Sequence, residues 1–225
     1  MLITTRGIVF RFTKYRETSI ITNIYTEELG LNSYIVNGVR SAKGKFKIGY
    51  FEPLNLVELT AYHKPGRDIE RLTEIKTGHP LHSIRQDMHK SAISLFMAEI
   101  LNKCIVERHK NEALFAFLYA AIMALEKTPP NNSFHLQFLL KLTAHLGFGI
   151  YHPEVFISKV TNPGFYHHPE NSRLLQHLLE GSLEDVPAVT AGQRQAILTD
   201  ILHYYQTQIE MPPLKSLAVL QSVFS

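Results

Sequence analysis

Seven cations within the first 47 residues are spaced to hold an anionic chain. Arg11, Lys14 and Arg16 punctuate a strand-like opening, and Arg40, Lys43, Lys45 and Lys47 crowd the segment from Gly38 to Lys47. No carboxylate lies between Asn37 and Tyr50, so nothing in the local sequence neutralises the four loop cations. An acid-free basic loop on a near-neutral chain points to contact with a polyanion, because each phosphate it neutralises releases condensed counterions. Gly38 and Gly44 let the backbone of such a loop follow a flexible strand. Tyr15 sits between Lys14 and Arg16, and Phe46 between Lys45 and Lys47. Rings beside cations suit a single strand, whose bases stack while its phosphates pair. Packing inside the fold is the alternative for both rings.

Other chemistries fit poorly. The loop misses a nucleotide-binding P-loop, because five residues instead of four separate Gly38 from Gly44 and Phe46 stands where a magnesium-holding hydroxyl belongs. Twelve histidines raise the question of metal, yet no HExxH or paired-cysteine spacing is present. His152, Glu154, His167 and His168 are the one weak candidate cluster. The acid pairs Glu27-Glu28 and Glu184-Asp185 are adjacent and point apart, which disqualifies them as general acid and base. With no nucleophile signature either, the reading is a binding protein without catalytic residues, cofactor or metal. A lone cysteine, Cys104, excludes a disulfide framework and a thiolate zinc site.

The elements that must position the cations follow from patterning. Leu2–Phe12, Ser19–Thr26, Leu31–Val36, Leu54–Tyr62 and Ile69–Ile75 are rich in Ile, Val, Phe and Thr, with polar or Pro-Gly turns between them. Five short strands in this length predict a small barrel of the OB type, which periodicity cannot tell from an SH3-like barrel. After Pro80 the period becomes helical. Ile93, Phe96, Met97, Ile100, Leu101 and Cys104 form one stripe, and Leu114, Phe117, Leu118, Ala121, Ile122 and Leu125 another. Ser133 is the expected N-cap of a third helix that stops near Gly147. An irregular stretch over 149–171 carries Pro153, Pro163 and Pro169, and helices resume at 172–180, 191–208 and 214–223. The expected class is α+β, with a barrel over residues 1–80 and a helical domain over 81–225.

Charge divides the same way. Residues 1–80 carry 12 Lys and Arg against 8 Asp and Glu, a balance of +4, whereas residues 81–225 balance at −1. The nucleic-acid footprint is therefore expected on the barrel. The longest apolar run, Ala113 to Leu125, is too short to cross a bilayer. The opening lacks the layout of a signal peptide, so a cytoplasmic location is expected.

The order of several short motifs carries a resemblance. Gly7-Ile8-Val9-Phe10-Arg11, then Tyr15-Arg16-Glu17-Thr18-Ser19, Tyr25-Thr26-Glu27-Glu28-Leu29-Gly30 and Asn37-Gly38-Val39-Arg40-Ser41 resemble the bacterial RecO family of recombination mediators. Phe134 to Phe148 is similar to that family's helix ending in Leu-Gly-Phe, and Leu214-Lys215-Ser216 to its C-terminal signature. The resemblance implies an N-terminal OB-fold and a C-terminal helical domain. It implies a non-enzymatic, nucleoid-associated protein that binds single- and double-stranded DNA and anneals complementary strands. With RecR, such a protein helps RecA replace the single-stranded-DNA-binding protein, whose acidic C-terminal tail docks on the helical domain; Lys103, Arg108, Lys110 and Lys141 are available cations there. Arg11 and Arg40 match basic positions of the family pattern, and Lys43, Lys45 and Lys47 extend its loop. Many relatives carry a four-cysteine zinc module after the Leu-Gly-Phe helix. Here that place has no cysteine: either packing by Phe156, Phe165 and Tyr166 replaces the metal, which is the expectation, or histidines substitute for the cysteines. An RNA-binding barrel of translation or RNA processing would share the same loop and stays open as the alternative.

Overall fold

Five strands, β1 (Leu2–Tyr15), β2 (Ser19–Thr26), β3 (Gly30–Val36), β4 (Leu56–Tyr62) and β5 (Ile69–His79), close into a barrel in the order β1-β2-β3-β5-β4. This is a computed structural model, and it describes residues 1–41 and 44–224. All neighbouring strands are antiparallel except β3 and β5, which run parallel over Ser33–Ile35 and Ile69–Arg71. This order, with β3 and β5 parallel, is that of an OB-fold and decides between the barrel types that periodicity left open.

Alternation fills the barrel. Val9, Ile20, Ile24, Tyr34, Val36, Val57, Leu59 and Leu72 point inward, and Phe51, from a 3-10 turn over Ile48–Phe51, joins them. Each such side chain contributes about 1.5–3 kcal/mol by leaving water. The fourth strand starts two residues later than expected. Leu54 is buried in the left-handed region at φ 60°, its N–H donating to Val9 O at 2.7 Å, so pairing begins only at Leu56.

By packing, the chain forms two units: Met1–His82 with Ser94–Ile122, and Ser83–Ile93 with Met123–Ser225. Helices α1 (His82–Gln86), α2 (Met88–Cys104) and α3 (Glu112–Lys127) follow the barrel. In the first unit the outer face of the barrel is covered. The Phe10 and Tyr25 rings stack at 5.8 Å, and Phe115 of α3 lies 6.3 Å beyond Tyr25. Gly30, at φ +64°, opens β3 where a Cβ would run into the His109 carbonyl. Cys104 is half-buried, and burial pushes its thiol up to about 12, which makes it inert.

The second unit adds α4 (Phe134–His145), α5 (Pro153–Ile157), a 3-10 turn over Pro163–His167, α6 (Pro169–Glu180), α7 (Ala191–Gln208) and α8 (Ser216–Val223). The Glu126 carboxylate caps α1 by accepting from Ser83 N at 2.8 Å and Ile84 N at 2.9 Å. Ser133 does not act as the expected N-cap: its hydroxyl donates to Asn131 Oδ1 and Pro187 O and leaves the α4 N–H groups alone. The stretch expected to be irregular winds into α5, the 3-10 turn and the start of α6. No helix among the described residues is long and apolar enough to cross a membrane.

Candidate nucleic-acid interface

A β-bulge sets the first cation. Register between β1 and β2 shifts between Val9 and Arg11, so one extra residue enters β1 at Phe10. Val9 packs inside, Phe10 stacks outside, and Phe12 returns to the inner cluster. Arg11 therefore emerges on the outer face beside Asn23, its cross-strand partner. Lys14, three residues on along a regular ladder, projects to the opposite side of β1, where it clears the barrel end and is exposed. Tyr15 and Ser19 pair across a tight turn in which Arg16 is left-handed at φ 51°. The Arg16 guanidinium lies 5.2 Å from the centre of the half-buried Tyr15 ring.

The basic loop is pinned by apolar residues that alternate with its cations. Val39 and Phe46 are both in the barrel core, at 6% and 9% exposure, while Arg40, Lys45 and Lys47 are exposed. Arg40 N donates to Thr18 O at 3.0 Å, and its Nη1 approaches Arg16 O at 3.4 Å. The structure thus joins Arg16 and Arg40. Lys45 leans the other way, its Nζ donating to Thr73 O on β5 at 2.9 Å and lying 5.3 Å over the Phe46 ring. Phe46 serves as a plug of the barrel; stacking on a base would require the ring to leave the core. Lys43 lies outside the described residues.

Charge pairing separates these cations from their neighbours. Arg6 is clamped by Glu27, with Nε to Oε2 at 2.8 Å, and its guanidinium sits within 5.4 Å of the Phe115 and Tyr119 ring centres. Its pKa is raised and that of Glu27 lowered, chiefly by their mutual hydrogen bonds. Lys76 pairs with Glu58, Arg108 with Asp68, and Lys110 with Glu28 and Glu112. Among the described residues, no ion pair involves Arg11, Lys14, Arg16, Arg40, Lys45 or Lys47. Six exposed, uncompensated cations on a closed barrel can neutralise phosphates without first breaking an internal pair.

Two family models match the chain, "Recombination protein O N terminal" over residues 1–81 and "Recombination protein O C terminal" over residues 85–152. The DNA repair protein RecO of Flavobacterium psychrophilum is 36% identical over the full length of both chains. Those of Flavobacterium johnsoniae and Phocaeicola vulgatus are 34% and 32% identical, also over the whole of each chain. The chain belongs to the RecO family. It is thus a chain of DNA-repair and recombination type, with the barrel inside the N-terminal family region.

Two expectations concern the residues that follow the barrel. The segment after Phe148 is held by aromatic packing: Phe156 is fully buried, 5.9 Å from Tyr166 and 5.8 Å from Tyr204. Tyr166 OH donates to Asp200 Oδ2 at 2.9 Å and Thr161 Oγ1 to Oδ1 at 3.0 Å, which satisfies a buried carboxylate. Burial, with Asp200 nearby, raises the Tyr166 pKa. His152, Glu154, His167 and His168 are exposed, and no group of three or more His, Cys, Asp or Glu side chains among the described residues could hold a metal. The residues present do not fit the zinc site of cysteine-bearing relatives. The cations named for an acidic tail are occupied: Lys141 Nζ donates to Leu179 O at 3.1 Å, Lys103 pairs with Glu99, and Arg108 and Lys110 are paired as above.

Proposed function

We propose that the chain is a recombination mediator in DNA repair that works by binding alone. It binds single- and double-stranded DNA, anneals complementary strands and, with RecR, helps load RecA onto DNA coated by single-stranded-DNA-binding protein. Contact with that protein runs through its acidic C-terminal tail. The observation that carries this reading is the set of six exposed, unpaired cations on an OB barrel of a RecO-family chain. Annealing needs no bond to be made or broken by the protein. Two strands repel through their phosphates, and a cationic surface that takes both lowers that barrier while leaving base edges free.

If about four phosphates are neutralised, log K against log salt slopes near −3 on a single strand. The test is annealing of strands precoated with the cognate single-stranded-DNA-binding protein, with and without RecR, comparing the wild-type chain with Arg16→Glu/Arg40→Glu. Wild-type annealing that the charge reversal abolishes supports the reading. Equal annealing by both removes the cations from the mechanism. Tighter binding to RNA than to DNA of the same sequence would favour the RNA-processing alternative.

A further inference from the structure

On the barrel two further arginines, marked by no motif, stand outside the ion pairs. Arg67, in the turn after β4, and Arg71, on β5, form no ion pair among the described residues. With Lys45 they rim a notch of about 460 Å³, walled by Tyr62, Phe46 and Leu72, a size that ordinary small-ligand sites share. No carboxylate lines it. A neighbouring hollow of about 430 Å³ also borders Lys45 and Phe46, but there Lys76 is paired with Glu58 and Glu74 offsets Lys45, so the first of the two is the more cationic.

The acids nearest in sequence are already engaged. Asp68 accepts from Arg108 Nη1 at 2.9 Å, and the buried Glu70 takes His63 Nδ1 at 2.5 Å. The turn itself is fixed by Arg67 N donating to Lys64 O at 3.2 Å and by Gly66 at φ +79°. Tyr62 is 54% exposed and stands directly across the sheet from Arg71 on one side and Leu2 on the other. A ring held on a strand, half open to solvent and flanked by cations, offers a stacking face at low entropic cost. A duplex keeps its bases stacked on one another and cannot use that face. A single strand can.

We propose that this notch seats one nucleotide of single-stranded DNA, its base stacked on Tyr62 and its flanking phosphates paired with Arg67 and Arg71. Lys45 belongs both to the basic loop and to the notch and takes a phosphate between them. The proposal rests on the DNA-binding reading above and adds a base-contacting subsite to it.

The test measures binding of the full chain to labelled oligothymidylate, to an abasic strand of equal length and to a duplex, across a salt series. Arg67→Ala/Arg71→Ala is expected to flatten the single-strand salt slope by about 1.4, two phosphates at roughly 0.7 each. Tyr62→Ala is expected to weaken oligothymidylate about tenfold while sparing the abasic strand and the duplex. Tyr62→Leu, which keeps apolar bulk and loses the ring, should behave the same way if Tyr62→Ala is poorly folded. In the unmodified chain, photocrosslinking of a bromouracil strand should label the peptide containing Tyr62. Unchanged slope and affinity in these variants, with no label at Tyr62, overturn the notch; if Arg16→Glu/Arg40→Glu still loses binding, the broader reading stands. Absence of oligonucleotide binding by the wild-type chain overturns both.

Discussion

Arg40 N donates to Thr18 O at 3.0 Å, so the basic loop after β3 is tied to the turn between β1 and β2. This one bond gathers cations that are 24 residues apart, because Arg40 Nη1 then reaches Arg16 O. Phe46 and Val39, seated in the barrel core, hold the loop at two further points. Arg40, Lys45 and Lys47, each next to one of these anchors, are held in place before a strand arrives, so ordering them costs little entropy.

Removing the tied pair should therefore act through electrostatics alone. Arg16→Ala/Arg40→Ala is expected to reduce the slope of log K against log salt on single strands by about 1.4, with the melting temperature unchanged. Fluorescence anisotropy at several salt concentrations checks the slope. A parallel drop in affinity with no change of slope would mean that these arginines do not meet phosphates.

Arg6 supplies the contrast. It carries the same charge as Arg11, five residues away, but Glu27 and two aromatic rings already occupy it. Removing the pair together, Arg6→Ala/Glu27→Gln, is expected to leave DNA affinity within about twofold, since the two charges cancel locally. Glu27→Gln alone should steepen the salt slope by up to about 0.7 on single strands, as one cation is released. The same anisotropy series reads both variants.

Packing in the place of the zinc module makes a third expectation. Phe156 is buried against Tyr166 and Tyr204, so Phe156→Ala should cost about 3–5 kcal/mol. Tyr166→Phe removes one of the two hydroxyls on the buried Asp200 and should cost about 1–3 kcal/mol. A strong chelator is expected to leave the melting temperature of the wild-type chain unchanged. Urea unfolding of each variant measures the two costs, and thermal unfolding of the wild-type chain with and without chelator measures the third; a chelator-dependent fall would restore a metal to this segment.

How far the sequence could be read depends on how local the cause is. Alternating Ile, Val and Phe over Ser19–Thr26 and Leu31–Val36 marks strands, and the stripes of α2 and α3 mark helices, because these patterns act within a few residues. The bulge at Phe10 has no such marker, so the outward turn of Arg11 and its separation from Lys14 were hidden. Ser133 carries the right chemistry for a cap, but Asn131 and Pro187 compete for its hydroxyl, one of them from 54 residues away. Arg67 and Arg71 are hidden in the sequence for a related reason. Asp68, Glu70 and Glu74 interleave with them and make the stretch look neutral; only the pairings with Arg108 and His63 show two of those acids to be spent. The acid-free run from Gly38 to Lys47 needed no tertiary partner to be visible.

His135 gives the chain an acid limit. It is fully buried on α4, and loss of hydration, with Arg194 adding a smaller like-charge effect, pushes its pKa down to about 3. The unfolded chain titrates this group near its ordinary value of 6.5, so below that pH the unfolded state binds a proton that the folded state refuses. Stability from this residue is intact above about pH 6.5 and drains away as pH falls toward 3, by about 1.4 kcal/mol per unit once well below 6.5. At pH 5 the loss is about 2 kcal/mol. Replacing the imidazole by an apolar group of similar size, His135→Leu, should remove this part of the acid sensitivity. Urea unfolding at pH 7.5 and pH 5 checks it: the stability difference between the two pH values should shrink by about 2 kcal/mol in the variant. An undiminished difference would assign the acid sensitivity to other groups, of which the half-buried His145, whose pKa burial also lowers, is the next to replace.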